Sequence, residues 1–324
     1  MDGEVERIVE DFPNLLYSLV NQIPEGRVTT YGKLAEALGD KRAARAVGQL
    51  LKQNPEPVEV PCHRVVRSSG NLGGYVEGKE MKAELLEAEG VEVGYKEVEN
   101  FENIVFENFS SEKPLHKLRE EQHEKKKLVE IEELEGEPRF VGGVDAAYGN
   151  GEGYAVLYVW DEERSKEYVS KIQSEVKFPY IPTYLAFREL PLLLEAVEKA
   201  EVRPDVVMVD GNGILHPERF GLASHLGVET DIPTLGVAKS KLCGRIKGKI
   251  AHETPTVEVE MSGERRGYAL LSSERAEKPI YISPGHRIGC EESLDLVRKY
   301  CNYKVPKPVR KAHILAGKMK DKCP

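Results

Sequence analysis

At 324 residues the chain exceeds what one hydrophobic core usually organises, so two domains are expected. A composition of 40% hydrophobic and 31% charged residues is ordinary for a soluble globular protein. No apolar run approaches the ~18 residues of a membrane helix, and the acidic start MDGEVERIVE lacks the apolar segment of a secretory signal. A cytoplasmic protein with no membrane partner is therefore expected, and a monomer is the expected state.

In chain order, residues 4–21 read as a helix from apolar Val5, Ile8, Val9, Phe12, Leu15, Leu16, Leu19 and Val20. Pro13 is a candidate kink, and Pro24 and Gly26 close the segment. Thr29 and Thr30 offer caps for a short helix, Tyr31–Leu38. A Gly39-Asp40 turn then leads into a second helix at about Arg42–Lys52. Two short helices on a tight glycine turn, the second rich in Arg and Ala, form a helix-turn-helix pattern. Val58–Val60 and Val65–Val66 are short apolar stretches, Ser68–Gly74 is a loop, and Lys79–Glu89 is a helix closed by Gly90. From Glu92 to Lys113 the pattern turns acidic and aperiodic and reads as a linker. Pro114–Leu134 reads as a long charged helix. Strands at Phe140–Ala147, Ala155–Trp160 and Val206–Val209 then alternate with a helix at Thr183–Lys199, as in an α/β domain with a mixed sheet. The domains are thus expected at 1–91 and 114–324, joined by 92–113.

Net charge is −9, which conceals local patches. Arg27 to Arg67 holds eight basic and four acidic residues, and the last 24 residues hold seven basic and one acidic. A solvated tail explains the latter as well as an interface does. The five cysteines are irregularly spaced, with no CxxC, which argues against a disulfide framework or zinc site.

The sharpest local feature of the first hundred residues is Pro61-Cys62-His63-Arg64-Val65-Val66. A lone cysteine is usually a small buried hydrophobe; beside His63 and Arg64 a reactive thiolate becomes an alternative. The surroundings resemble the active-site domain of the O6-alkylguanine-DNA alkyltransferases from roughly Val28 to Gly90. The matching blocks are Ala43-Ala44-Arg45-Ala46-Val47-Gly48, Asn54-Pro55, the PCHRVV hexapeptide, Gly70-Asn71-Leu72-Gly73-Gly74-Tyr75 and Leu85-Leu86-Glu87-Ala88-Glu89-Gly90. The resemblance implies a mostly α-helical, winged-helix-like domain that binds double-stranded DNA. Cys62 accepts the alkyl group in a stoichiometric reaction, His63 deprotonates it through a water, and Glu89 orients His63. Asn54 holds the hinge, Arg45 replaces the extruded base, and Tyr31 and Tyr75 act on the flipped nucleotide. The chain departs from the family at Val76, where a small hydroxyl residue is usual, and at Glu84, where a tryptophan is usual. An N-terminal domain common in longer members of the family is expected to be absent. These departures motivate an alternative in which the first domain mainly binds lesions and recruits the second.

In the second half, Val144-Asp145-Ala146 places an aspartate within or at the end of a buried strand, Phe187-Arg188-Glu189 a carboxylate early in a helix, and Val206–Val209 runs into Asp210. Three carboxylates on one sheet edge suit Mg²⁺; Asp145 and Asp210 could equally be strand-end caps. Residues of about 115–311 resemble endonuclease V. The blocks are Phe178-Pro179-Tyr180-Ile181-Pro182, Phe187-Arg188-Glu189, Val209-Asp210-Gly211-Asn212-Gly213, His216 to His225, Gly236-Val237-Ala238-Lys239-Ser240, Leu242-Cys243-Gly244 and Ser283-Pro284-Gly285-His286-Arg287. That implies a ribonuclease H-like fold and nicking at the second phosphodiester bond 3′ to deoxyinosine, with Mg²⁺, or Mn²⁺ in its place. Asp145 and Asp210 bind the metal with Glu189 in its inner or water shell. His286 lies near the attacking water, Lys239 and His216 engage the phosphate, and Tyr180 wedges into the gap left by the flipped base. Gly211, Gly213 and Leu242 line the base pocket. Glu218 stands where a basic residue is common. An RNA-directed nuclease acting on inosine-containing RNA is the other reading.

Overall fold

The computed structural model describes residues 3–273 and 276–322; Cys323 lies outside them. The chain divides into two compact units. The first comprises residues 1–121 and 177–184, the second residues 122–176 and 185–324. No described helix is long and apolar enough to cross a membrane.

The first unit is mainly helical. Helix α1, Gly3–Val20, retains Pro13 within it and buries Val5, Ile8, Val9, Phe12, Leu16, Leu19 and Val20, the stripe its periodicity announces. A two-residue strand β1, Thr29–Thr30, leads directly into α2, Tyr31–Ala37, whose cap is Thr30 accepting from Lys33 N. Asp40 caps a 3-10 turn, Lys41–Ala43, by accepting from Arg42 N, and α3, Ala44–Lys52, follows. Strand β2, Val65–Val66, pairs in parallel with β1. Helix α4 is Lys79–Ala88, and Gly90 beyond it takes a φ of +82°, the left-handed ending that glycine tolerates.

The stretch 92–113 is not the free linker its acidic, aperiodic composition suggests. Val98, Phe101 and Ile104 pack into a cluster with Val28, Val66, Leu72, Leu86 and Val91. Val28 bridges to Val105, and Asn71 to Glu97. A short helix α5, Phe101–Ile104, sits there. The few apolar residues are enough because each covers an existing apolar face instead of building a new one. Helix α6, Pro114–Lys126, ends eight residues before the expected Leu134. Beyond it the backbone donors find side chains: Glu130 N donates to His286 Nδ1 and Leu134 N to Glu292 Oε1.

The second unit is built on a nine-stranded mixed sheet. Its strands are β3 Phe140–Gly149, β4 Glu152–Asp161, β5 Lys166–Glu175, β6 Val206–Val209, β7 Thr234–Ala238, β8 Arg245–Ile246, β9 Thr256–Met261, β10 Glu264–Leu270 and β11 Ile280–His286. The order is β5-β4-β3-β6-β7-β11-β10-β9-β8. The central pairs β3·β6 and β6·β7 are parallel; the flanking ones are antiparallel. The helices are α7 Leu185–Glu198, α8 Leu222–Thr230, α9 Cys290–Tyr300 and α10 Lys307–Lys320. Apolar residues of β6, β7, β10 and β11 pack with Leu294, Val297 and Val309 of α9 and α10. Val156 and Tyr158 of β4 pack with Ala312 and Ala316 of α10. A Cβ on Gly143 would lie 2.2 Å from the Pro308 carbonyl carbon, so this glycine lets the start of α10 settle directly on β3.

Candidate functional sites

In the first unit Cys62 lines a cavity of about 230 Å³ together with Tyr31, Gly48, Leu51, Lys52, Gly74, Tyr75 and Val76. Asn54 is buried and donates through Nδ2 to Val60 O at 3.1 Å and to Cys62 Sγ at 3.4 Å, while its Oδ1 accepts from Glu56 N at 3.1 Å. It therefore ties the loop from the second helix to the cysteine. Burial pushes the Cys62 thiol above its ordinary range, while the Asn54 hydrogen bond and the Lys82 ammonium pull it down.

His63 is buried, and its Nε2 meets Glu89 Oε1 at 2.7 Å. Arg64 grips both oxygens of Glu89, through Nε at 2.9 and 3.1 Å and Nη2 at 2.8 Å, and donates to Ile23 O. Burial would raise Glu89, but the bonds from Arg64 and His63 outweigh it, and the carboxyl sits below its ordinary range. A carboxylate that accepts at Nε2 places the neutral imidazole's hydrogen there. That leaves His63 Nδ1 as the bare nitrogen, and it is buried without a hydrogen-bond partner. Burial lowers His63 below its ordinary pKa, which favours the neutral ring.

Lys82, which the sequence reading passed over, is completely buried; its ammonium donates to Val65 O at 2.5 Å and Gly74 O at 3.3 Å. Burial brings it down to about 8. A lysine predicted within an exposed-looking helix gives no sign of this; the two carbonyls it satisfies come from other loops. Tyr31 opens α2 half-buried, with its hydroxyl close to Gly73. Tyr75 presents its ring edgewise to His63 at 6.3 Å. Arg45 is exposed on α3, and Val76 is 47% exposed.

In the second unit Asp145 lies on β3 opposite Val156 of β4, and so on the face that α10 covers. Asp210 directly follows β6. One ligand atom each from Asp145, Asp210 and His313 lie within 4.8 Å of one another. His313 Nδ1 contacts Asp145 Oδ2 at 2.6 Å, and Lys239, just past β7, pairs its ammonium with Asp210. Glu189 is not in that triad of ligand atoms. It is half-buried on α7 and lifted to about 8, first by desolvation and then by the charges of Asp145 and Asp210. Asp145 is raised for the same reasons. Three neighbouring acids, with Lys239, His313 and Arg188 as the cations beside them, are a set that a divalent cation fits.

The sequence gives no local sign of His313, and it is His286 that the family resemblance puts near the metal and the attacking water. His286 lies across from Thr234, where β7 begins, whereas Ala238 of the same strand leads to Lys239. Because β11 runs antiparallel to β7, His286 occupies the end of the sheet away from Asp210. There its Nδ1 accepts from Glu130 N at 3.2 Å. The dense SPGHR block drew the assignment; the direction of β11 overrules it. His216 is buried, pushed down to about 4 by burial, and its Nδ1 accepts from Glu218 N, so the ring is neutral and brings no charge to a phosphate. A Cβ on Gly213 would fall 1.8 Å from Pro284 O, so its glycine answers to the packing of β11; one on Gly211 meets only Leu222 at 3.4 Å. Leu242 and Tyr180 are 51% and 58% exposed.

The first unit is thus a helix-turn-helix body around a buried thiol, and the second a mixed sheet carrying an acidic cluster. The family model for the 6-O-methylguanine DNA methyltransferase DNA binding domain matches residues 11–91, and that for endonuclease V matches residues 122–314. A bifunctional methyltransferase/endonuclease of Picrophilus torridus is 36% identical over 304 residues, covering 94% of this chain and 95% of the relative. Human endonuclease V, as a crystal structure, superposes with a TM-score of 0.58 at 34% identity, covering 64% of this chain and 98% of that one. The Ciona intestinalis enzyme, crystallised with a 24mer DNA containing an inosine followed by a ribo-adenosine, gives 0.58 at 26% identity over 65% and 99% of the two chains. The chain belongs to the endonuclease V family and, along nearly its whole length, to the bifunctional methyltransferase/endonucleases. The endonuclease V family is metal-dependent.

Proposed function

We propose that the protein repairs DNA by two separate reactions. The first unit moves an alkyl group from O6-alkylguanine to Cys62. The second nicks double-stranded DNA at the second phosphodiester bond 3′ to deoxyinosine. The observation that carries the reading is that one chain assembles both reactive sets, the Cys62-His63-Glu89 line and the Asp145-Asp210-His313 cluster.

In the first unit, read as winged-helix-like, Tyr31 and Arg45 hold the duplex open and the base enters the cavity above Cys62. His63 Nδ1 faces no protein group, so a water there relays the thiol proton to it. The sulfur–carbon bond forms as the carbon–O6 bond breaks, and the proton held by His63 ends on guanine. Glu89, fixed by Arg64, keeps His63 in the basic tautomer and balances its charge once protonated. Asn54 and Lys82 steady the thiolate against the cost of burial. One exchange consumes the site.

In the second unit, read as ribonuclease H-like, Asp145, Asp210 and His313 hold a divalent cation, Mg²⁺ on this reading. The cation supplies Lewis-acid polarisation of the phosphate and a nucleophile of lowered pKa. Glu189, half-buried near the two aspartates, orients or deprotonates water. Lys239 gives up its pairing with Asp210 to meet the phosphate. Tyr180, exposed between prolines, fills the space of the extruded base, and Leu242 packs beside the lesion.

The test pairs two assays on one preparation. Mass spectrometry after incubation with O6-methylguanine DNA is expected to find one methyl on Cys62, absent in Cys62→Ala. Nicking of inosine duplex is expected to vanish in Asp145→Ala with methyl transfer retained. An unmodified Cys62, or full nicking by Asp145→Ala, would sink the corresponding half.

A further inference from the structure

Residues 177–184 stand between β5 and α7 in the chain, yet they pack as part of the first unit, while the residues on either side belong to the second. Phe178, Ile181 and Tyr184, three residues apart, are buried, and Tyr180 between them is exposed. Phe178 meets Phe12 of α1 edge to face, with ring centroids 4.9 Å apart. The Tyr184 hydroxyl donates to Asp40 Oδ2 at 3.0 Å and accepts from Arg119 Nη2 at 2.8 Å. Arg119 Nη2 also reaches Asp40 Oδ2 at 2.8 Å. Asp40 makes these contacts while capping the turn between α2 and α3. Thr183, next to Tyr184, has a φ of +73°. A β-branched residue adopts that conformation only where its surroundings impose it.

The exposed aromatic is therefore carried on a segment anchored at both ends and strained near one of them. A loose loop would need none of this. Burial alone would raise the Asp40 carboxyl, but bonds from Arg42 and Tyr184 outweigh it and hold it at about 2. The acceptor is ionised at every working pH, and its bonds are of the stronger, charge-assisted kind.

We infer that Asp40, acting through Tyr184 and Arg119, is a positioning residue for the Tyr180 segment. The inference rests on the reading of Tyr180 as the wedge that opens duplex DNA. It goes beyond that reading in assigning the wedge's support to Asp40, in the turn between α2 and α3.

The experiment uses the full chain and two substrates, inosine in duplex DNA and the same strand alone. The variants are Tyr184→Phe, Asp40→Asn, their combination, and Tyr180→Ala for reference. Asn remains a good cap for the turn, and Phe keeps the buried ring. Single-turnover nicking of the duplex is expected to fall about tenfold in each variant, the scale of one charge-assisted hydrogen bond. Nicking of the single strand, where no duplex has to be opened, is expected to stay within about twofold. The combination should fall no further than Asp40→Asn alone, because both act through one bond. Methyl transfer to Cys62 in the same samples reports that the first unit is folded. If Tyr180→Ala loses duplex nicking while Tyr184→Phe and Asp40→Asn keep it, the positioning claim is wrong and the wedge reading survives. If Tyr180→Ala nicks duplex normally, the wedge reading fails and takes the positioning claim with it. Equal losses on both substrates would mark a general loss of folding and overturn the claim.

Discussion

Glu189 makes a demand on the protein that can be measured without any substrate. Its carboxyl is buried beside Asp145 and Asp210, and its pKa stands at about 8 against an ordinary 4.5. Below pH 4.5 the acid is protonated in both folded and unfolded chains and costs nothing. Between pH 4.5 and 8 the unfolded chain releases the proton and the folded one keeps it, so stability falls as pH rises. Above 8 the full cost is present. At about 1.4 kcal/mol per pH unit, the ceiling of that cost is about 5 kcal/mol. Glu189→Gln removes it. In EDTA at pH 9 the second unit of Glu189→Gln is expected to melt up to about 10–20 °C above wild type, given about 2–4 °C per kcal/mol for a domain of this size. At pH 4.5 the two should melt together. Mg²⁺ should narrow the gap at pH 9 by stabilising wild type more than the variant, and nicking by the variant should be lost. A melting difference that is the same at both pH values would refute the electrostatic account of this cluster.

Other substitutions separate neighbouring roles. His313→Ala is expected to lower nicking about a hundredfold, the scale of a lost metal ligand or its orienting partner, and to raise the Mg²⁺ concentration needed for half-maximal activity. His286→Ala should leave that Mg²⁺ requirement unchanged and show its effect in thermal melting. Gly213→Ala should destabilise by more than about 3 kcal/mol, because its Cβ has no room against Pro284, whereas Gly211→Ala should cost under about 1 kcal/mol; urea unfolding curves compare them. Lys82→Met leaves the Val65 and Gly74 carbonyls unpaired and should cost about 2–4 kcal/mol, with slower methyl transfer read by mass spectrometry at saturating DNA.

Much of this architecture was legible in the chain because local signals and packing agree. The apolar stripe of α1, the Thr30 cap and the Asp145 and Asp210 strand positions all appear where spacing puts them. The misses have physical causes. Strand β5 alternates as KEYVSKIQSE with mostly exposed positions, and an edge strand with one thin apolar face looks like a loop. His313 sits on α10 beside the buried line of Val309, Ala312 and Ala316, in a segment whose charge suggests a solvated tail. The clue lay elsewhere, in Gly143 two residues ahead of Asp145, a glycine that admits a helix against the strand. No local pattern could announce that residues 177–184 fold away from their neighbours in the chain; that is decided by Phe12 and Asp40.

The packed stretch after residue 91 has a consequence for how such a protein can be taken apart. The alkyltransferase family match stops at residue 91, and a chain cut there would look complete by that standard. It would leave Val28, Val66, Leu72 and Leu86 facing water where Val98, Phe101 and Ile104 now cover them. It would also remove the backbone bonds just ahead of β1, since Val28 exchanges them with Ile104 and Phe106, and the Thr29 hydroxyl donates to Phe106 O. The module that folds is longer than the matched segment, and a protease or a gene truncation acting at residue 91 is expected to release an insoluble fragment rather than a working half.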